Sequence, residues 1–350
     1  MPASATPFSP RARQPFYRQP VYRQPLYRLR CLQGRVAIGV GMGLVALGGA
    51  LPAALWAKAP PAAPDPVLAA LLRSGDLSAL NGACTAALER GDGLQLRRLQ
   101  QRLLTIHPAP QPLAVVLANA NSLLSCGAPD GALAVLGRVS PAAGAERAQW
   151  LVLQWRAAQA GLHHQLAADA LERLAAGNLA SLASLELPVG QRQDGTPVSR
   201  PALDLLASHL ESLGQRQRAA EVLVSSAQPG AATAVRLSQA VALLDGLPAP
   251  EQDRLLELAL EQAAAAGAWG LVAQILDQQL ALVSSTPESA ARVRERRLRL
   301  SGGIDDAYGE WLLRRRDPAG SARQLELERQ LRSPRAPGGH AAPPTPVSQP

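Results

Sequence analysis

Residues 127–161 read GAPDGALAVLGRVSPAAGAERAQWLVLQWRAAQAG, and their spacing decides the fold. Two glycines, Gly127 and Gly161, stand 34 residues apart and bracket two apolar-periodic runs. Ala132 and Leu136 follow Gly127 at five and nine residues. Trp150, Leu153, Gln154 and Ala157 precede Gly161 by eleven, eight, seven and four. Apolar recurrence at three and four is the helical period, and a glycine just past such a run is a helix stop. The stretch therefore predicts a pair of helices closed by glycine turns.

The layout recurs outward from here. Gly214 is followed by Ala219 and Leu223, Gly267 by Val272 and Leu276, and Gly91 by Leu96, with Pro108 seventeen residues after Gly91. Gly246 ends a further apolar-periodic run. Gly91 and Gly127 are 36 residues apart, whereas the spacings from Gly161 to Gly214 and from Gly214 to Gly267 are both 53. Each long spacing holds an insert. Residues 186–201 (ELPVGQRQDGTPVSRP) read as a loop, and residues 231–244 as a helix. The run Leu203, Leu206, Ala207, Leu210, Leu213 keeps the helical period, and from residue 65 to about 331 no run alternates as a strand would. A helix pair cannot bury its apolar face alone, so neighbours must stack. The expectation is an all-α body over residues 66–332, about six helix pairs on one continuous core, with Trp150 inside. The Arg-, Glu- and Gln-rich stretch 288–332 reads as a polar cap, or as a basic surface for a membrane or an acidic partner.

This layout resembles the tetratricopeptide (TPR) family, a helix-turn-helix unit of about 34 residues with Trp early in helix A, Gly at the turn, Ala opening helix B and Pro at the end. Trp150, Gly161, Ala132, Ala219 and Pro108 carry the resemblance, which spans residues 77–285. It implies a TPR-like helical-hairpin solenoid whose concave groove is lined by the A helices. Counting back from each glycine, it puts Asn81, Asn121, Trp155, Asp204, Glu211, Glu257 and Glu261 on that groove. It also implies that the ligands are other proteins or peptides. The later groove positions are acidic and suit a basic or neutral extended segment, unlike the basic clamp that some TPR domains offer to C-terminal carboxylates. Trp155 reads either as an anchor for a ligand or as a packing partner of Trp150.

Ahead of the body lies residues 36–57, VAIGVGMGLVALGGALPAALWA, a run with no charge that would reach roughly 33 Å as a helix, enough to cross a bilayer core. It follows a head, residues 1–35, with seven Arg and no acid. The positive-inside rule keeps that head in the cytoplasm and sends residues 60–350 outside it. The segment fits a retained anchor, or a signal peptide cut after Ala57 or Ala59. Gly39 and Gly43 form a GxxxG spacing that suits a helix-dimer face. The head repeats a pentad three times (QPFYR, QPVYR, QPLYR), a spacing of proline that forbids a regular helix and suits an extended basic arm on anionic lipid. Residues 58–65 read as a Pro/Ala linker, and residues 333–350 hold too few large apolar side chains to fold.

Charge excludes a nucleic-acid partner. The chain is +8 overall, but the head alone holds +7, and residues 58–287 carry 16 basic against 19 acidic residues. A nucleic-acid footprint belongs on the folded face, and here that face is slightly acidic. Lys58 stands alone against 34 Arg, which points to GC-rich coding and a bacterial source. The chain holds no His-Glu-x-x-His, Cys-x-x-Cys, Gly-x-Ser-x-Gly or P-loop pattern. His163 and His164 are adjacent, about 100° apart on a helix, and do not share a metal face. Glu257 and Glu261 form an i, i+4 carboxylate pair that reads as a solvated face. The expectation is a non-enzymatic protein with no catalytic, metal or cofactor site. The alternatives are an envelope enzyme with an unrecognised site, or a structural subunit of a membrane assembly. The repeat register offsets Cys84 from Cys126 by six positions, about 9 Å along parallel helices. That predicts two buried free thiols rather than a disulfide.

Overall fold

The computed structural model describes residues 66–226, 228–244, 246–283, 287–315 and 321–332. The head 1–35, the apolar segment 36–57, the linker and the tail 333–350 lie outside the described residues. Within the described residues no helix is long and apolar enough to cross a membrane.

The described body is predominantly α-helical, with fifteen helices and one two-stranded sheet. The first seven helices are α1 (Pro66–Arg73), α2 (Leu77–Arg90), α3 (Gly93–Thr105), α4 (Leu113–Ser125), α5 (Pro129–Leu136), α6 (Ala145–Ala160) and α7 (His164–Ala175). A 3₁₀ turn and the hairpin β1 (Glu186–Gln191) and β2 (Pro197–Pro201) follow. The remaining helices are α8 (Ala202–Ser212), α9 (Arg216–Val224), α10 (Ala231–Leu243), α11 (Ala249–Ala265), α12 (Trp269–Leu282), α13 (Pro287–Gly303), α14 (Ala307–Arg314) and α15 (Ser321–Arg332). Each helix packs on its sequence neighbour, and second neighbours meet as well: α2 on α4, α3 on α5, α4 on α6 and α10 on α12.

Local chemistry explains the boundaries. Asp76 caps α2 by accepting from the amides of Ser78 and Ala79, and Gly91 ends it in the left-handed region at φ 68°. The Gly91 amide returns to the carbonyls of Ala87 and Leu88, satisfying orphan acceptors. At Gly161 the left-handed place moves on to Leu162, at φ 59°. Close packing rests on small side chains: Ala157, Ala158, Ala167, Ala168, Ala170, Ala202 and Ala207 are all buried. Trp150 is buried too, and its indole N–H donates to the Leu136 carbonyl at 3.1 Å.

Three expectations need correction. Residues 186–201 form an antiparallel hairpin, not a loop. The Asp194-Gly195 turn drives it, with Gly195 at φ 82° and the Thr196 amide on the Asp194 carboxylate at 2.9 Å. Pro188, Pro197 and Pro201 read as loop residues, but in a two-stranded sheet both strands are edges, where proline is tolerated.

The apolar interior is not one continuous core. One cluster runs from Leu68 to Ala240, and a second from Ala234 to Val293. Helix α10 sits at their junction and crosses it with polar side chains. Buried Arg236 donates to Asp204 on α8 at 2.6 Å, and Ser238 donates to Gln278 on α12 at 2.6 Å.

Cys84 and Cys126 form a disulfide, with Cα atoms 5.0 Å apart. The repeat register places α4 wrongly against α2. The end of α4, where Cys126 caps the helix, lies against the middle of α2 rather than against its end. Ala87 on α2 and Ala120 on α4 are small and buried, which suits the close approach of the two helices at the bridge.

Candidate functional site

A groove of about 630 Å³ lies between α4, α6 and the hairpin. Its floor is one face of α6, Arg156, Gln159 and Ala160, at the i, i+3, i+4 spacing of a helical stripe. Leu124 and Ser125, from the end of α4, form one wall. Pro188 to Gln191 of β1, with Pro197 of β2, form the other. Arg156 is the only ionised side chain in this lining, and it is exposed. Its guanidinium touches the Asn121 amide oxygen at 3.4 Å, a long contact.

The hairpin shows its edge chemistry plainly. The Arg192 amide donates to the Thr196 carbonyl at 2.8 Å, and the Ala202 amide to the Leu185 carbonyl at 2.7 Å. Between these, Gln191 opposes Pro197 and Glu186 opposes Pro201. Pro197 and Pro201 lack an N–H, so they occupy the positions that face away from the ladder. The outer edge of β2 is thus poor in donors. On β1 the Gln191 amide faces outward, and Val189 is the extra residue of a bulge.

Of the seven residues placed on a groove by the repeat register, few stand open. Asn121 is exposed and touches Arg156 beside the groove. Asn81 is half-buried on α2, with its amide oxygen buried and unpaired among the described residues. Trp155 is fully enclosed, so it is a packing residue and not a presented anchor. Asp204 is taken by Arg236. Glu211 accepts from Gln239 at 2.6 Å. Glu257 accepts from Arg296 at 2.6 and 3.1 Å and from Gln279 at 2.7 Å. Burial pushes the Glu257 carboxyl up, but the hydrogen bonds from Arg296 and Gln279 outweigh it and hold it below the ordinary value. Glu261 is exposed on α11. Two of the four expected acids, Asp204 and Glu257, are therefore neutralised by arginine neighbours.

His164 and His209 stand 45 residues apart in the sequence, yet the fold brings them together. The Nδ1 atoms of His164 on α7 and His209 on α8 lie 3.1 Å apart. The Trp155 indole N–H, from α6, meets His209 Nε2 at 3.2 Å. Indole only donates, so His209 Nε2 is the acceptor and the ring's one proton sits on Nδ1. His209 then donates to His164 Nδ1. Both ring nitrogens of His209 are engaged, which leaves it no lone pair for a metal and no free base. Burial first, then the charges of His164 and Arg200, lower its pKa from 6.5 to about 4.

A second cleft, of about 580 Å³, lies among α12, α13 and α14. Its charged lining residues are already spent. Arg297 pairs with Asp277 at 3.0 Å, and Arg294 donates to the Leu313 carbonyl at 2.5 Å. Its charged groups are held by contacts within the body, and the α4–α6 groove, which presents an exposed arginine beside an open sheet edge, is taken as the candidate site. No protein-family model matches this sequence, and no curated protein matches it.

Proposed function

We propose that this chain is a non-enzymatic interaction scaffold of a bacterial membrane or envelope. In this reading the body is an α-solenoid of TPR-like helix pairs that binds other proteins or peptides. Residues 36–57 hold it at the membrane as a single-pass anchor, or export it and are cleaved. The Arg-rich head lies on anionic lipid on the cytoplasmic side. Stepwise helix packing, with contacts between second neighbours, supports the solenoid reading. The observation that carries the binding reading is the open groove of about 630 Å³, whose one ionised group faces solvent. A catalytic reading has less support, because the buried titratable groups among the described residues are engaged within the body: His209 is hydrogen-bonded at both nitrogens, and Arg236, Arg297 and Glu310 are ion-paired.

The test is a photo-crosslinking amino acid placed at Gln159 on the groove floor, in the living source cell. Discrete adducts are expected from Gln159, and none from Leu258, an exposed site on α11. Adducts absent at Gln159, or equally strong at Leu258, would refute use of the groove.

A further inference from the structure

We infer that the groove takes an extended peptide bearing an acidic side chain, which adds as a third strand to the outer edge of β1 while its carboxylate meets Arg156. This rests on the interaction reading above and narrows it to one kind of partner.

Three observations converge. First, the sheet has only two strands among the described residues, so the edge of β1 away from β2 is unpaired. An exposed edge offers a row of N–H and C=O groups to another chain. The outward positions of β1 are Glu186, Pro188 and Gln191, and those of β2 are Pro197, Ser199 and Pro201, so β1 keeps two outward amides, Glu186 and Gln191, against one, Ser199, on β2. Second, the residues of β1 from Pro188 to Gln191 form the groove wall, opposite Arg156, Gln159 and Ala160. A strand seated on this stretch of β1 therefore borders the groove. Third, Arg156 is exposed, and the other lining residues are neutral. A peptide that covers Arg156 without an acid would strip water from a guanidinium and give nothing back. A carboxylate instead gains a charge-assisted, bidentate partner. The sign is opposite to that expected from the acidic positions of the repeat register, because none of those acids lines this groove, and Asp204 and Glu257 are paired with Arg236 and Arg296.

The groove sets limits on the occupant. β1 spans 6 residues, so about three of the peptide's side chains face the helices at alternate positions. Leu124, Ala160 and Val189 offer small apolar contacts to them. An α-helix is disfavoured, since it satisfies its own main chain and would leave the β1 edge unused.

The experiment pans the full chain, in detergent micelles, against a phage-displayed library of random short peptides. Selected peptides are then synthesised with a fluorophore, and their affinities are read by anisotropy. Peptides rich in Asp or Glu and in strand-forming residues are expected. Arg156→Glu should weaken them at least about five-fold, since an exposed ion pair is replaced by repulsion. Gln191→Pro removes an outward amide without touching the ladder to β2, and should weaken them about five- to ten-fold. Arg156 is exposed, so its variant is expected to keep the wild-type circular dichroism and melting temperature. Peptides that bind the wild type and both variants alike would overturn the β1 and Arg156 assignment while leaving the interaction reading intact. Selected peptides that are apolar, helix-forming and free of acids would assign the groove to a helix and likewise overturn it. No selected peptide at all would sink the interaction reading together with this inference.

Discussion

Acid should erode the stability that the contact between α7 and α8 supplies before it touches most carboxylates. His209 is 6% exposed, with Trp155 donating to one nitrogen and His164 accepting from the other. A second proton has no place to go: Nε2 already faces an N–H, and Nδ1 already carries one. Arg200 adds a repelling charge. Its pKa in the fold is about 4 against an ordinary 6.5, a gap that corresponds to ~3 kcal/mol of differential proton binding. The folded-state value is the lower of the two, so the unfolded chain binds the proton first. The contribution is fully present above about pH 6.5, is lost as pH falls from 6.5 towards 4, and changes no further below that. The assay is urea unfolding followed by tryptophan fluorescence from pH 8 to pH 3.5, on the wild type and on His209→Gln, which keeps an acceptor for Trp155 but does not titrate. Between pH 7 and pH 4 the wild type should lose ~3 kcal/mol more than the variant, because carboxylate effects are common to both and cancel. Equal losses, or a larger loss in the variant, would show that His209 is not held neutral by this geometry.

The Cys84–Cys126 bridge closes a loop of 42 residues, which in the chain-entropy account stabilises by about 4 kcal/mol. Non-reducing mass spectrometry should find the bridge, and Cys84→Ser with Cys126→Ser should melt well below the oxidised wild type; coincident melts would refute it. Arg236→Met strands Asp204 at the junction of the two apolar clusters and should cost about 3 kcal/mol, with most of it recovered when Asp204→Leu is added. A single-variant cost under about 1 kcal/mol in chemical denaturation would show that the pair does not join the clusters. A reporter active only in the cytoplasm, fused after Pro350, should be silent; activity there would reverse the orientation proposed for residues 60–350.

The helices were legible because their signals are local. Glycine stops, aspartate caps and three-four periodicity all act within one element, and α2 from Asp76 to Gly91 follows them closely. The insert 231–244 likewise falls on α10. Register between elements is not local, and there the reading slipped. Counting from glycines assumes that A helices end level with one another, which the Cys84–Cys126 contact contradicts by about 9 Å. The same assumption put Trp155 on the groove. Its neighbour Arg156, about 100° around the helix, is the one that faces it, and an error of one residue suffices to exchange core for surface. The hairpin was missed differently. Its Asp194-Gly195 turn signal stood in the sequence, but three prolines outweighed it, and only the absence of further strands makes those prolines harmless. The His164–His209 contact had no signal at all. It joins residues 45 apart on neighbouring helices, and nothing in the composition marks it.

These placements bear on how the groove works. On α6, Trp150 and Trp155 face inward and Arg156, Gln159 and Ala160 face the groove, so the floor is the back of a densely held helix. Trp155 is tied through His209 to α8, Trp150 is tied to the end of α5, and Arg173 stacks over the Trp150 ring. The opposite wall is the hairpin, which among the described residues sends Leu187 into the core and leaves most of β1 and β2 exposed or half-buried. A densely packed floor facing a two-stranded wall suits a ligand that supplies a third strand, because the floor needs no rearrangement to receive it. It also follows that His209 and Arg156 should not be independent. Protonating the cluster behind α6, which in the fold occurs only near pH 4, loosens the helix whose front carries Arg156, so peptide affinity should hold to about pH 5 and fall as pH drops through 4, below most of the window in which stability is lost. A peptide that bound equally well at pH 7 and pH 4 would uncouple the two and confine the histidine pair to the stability of the core.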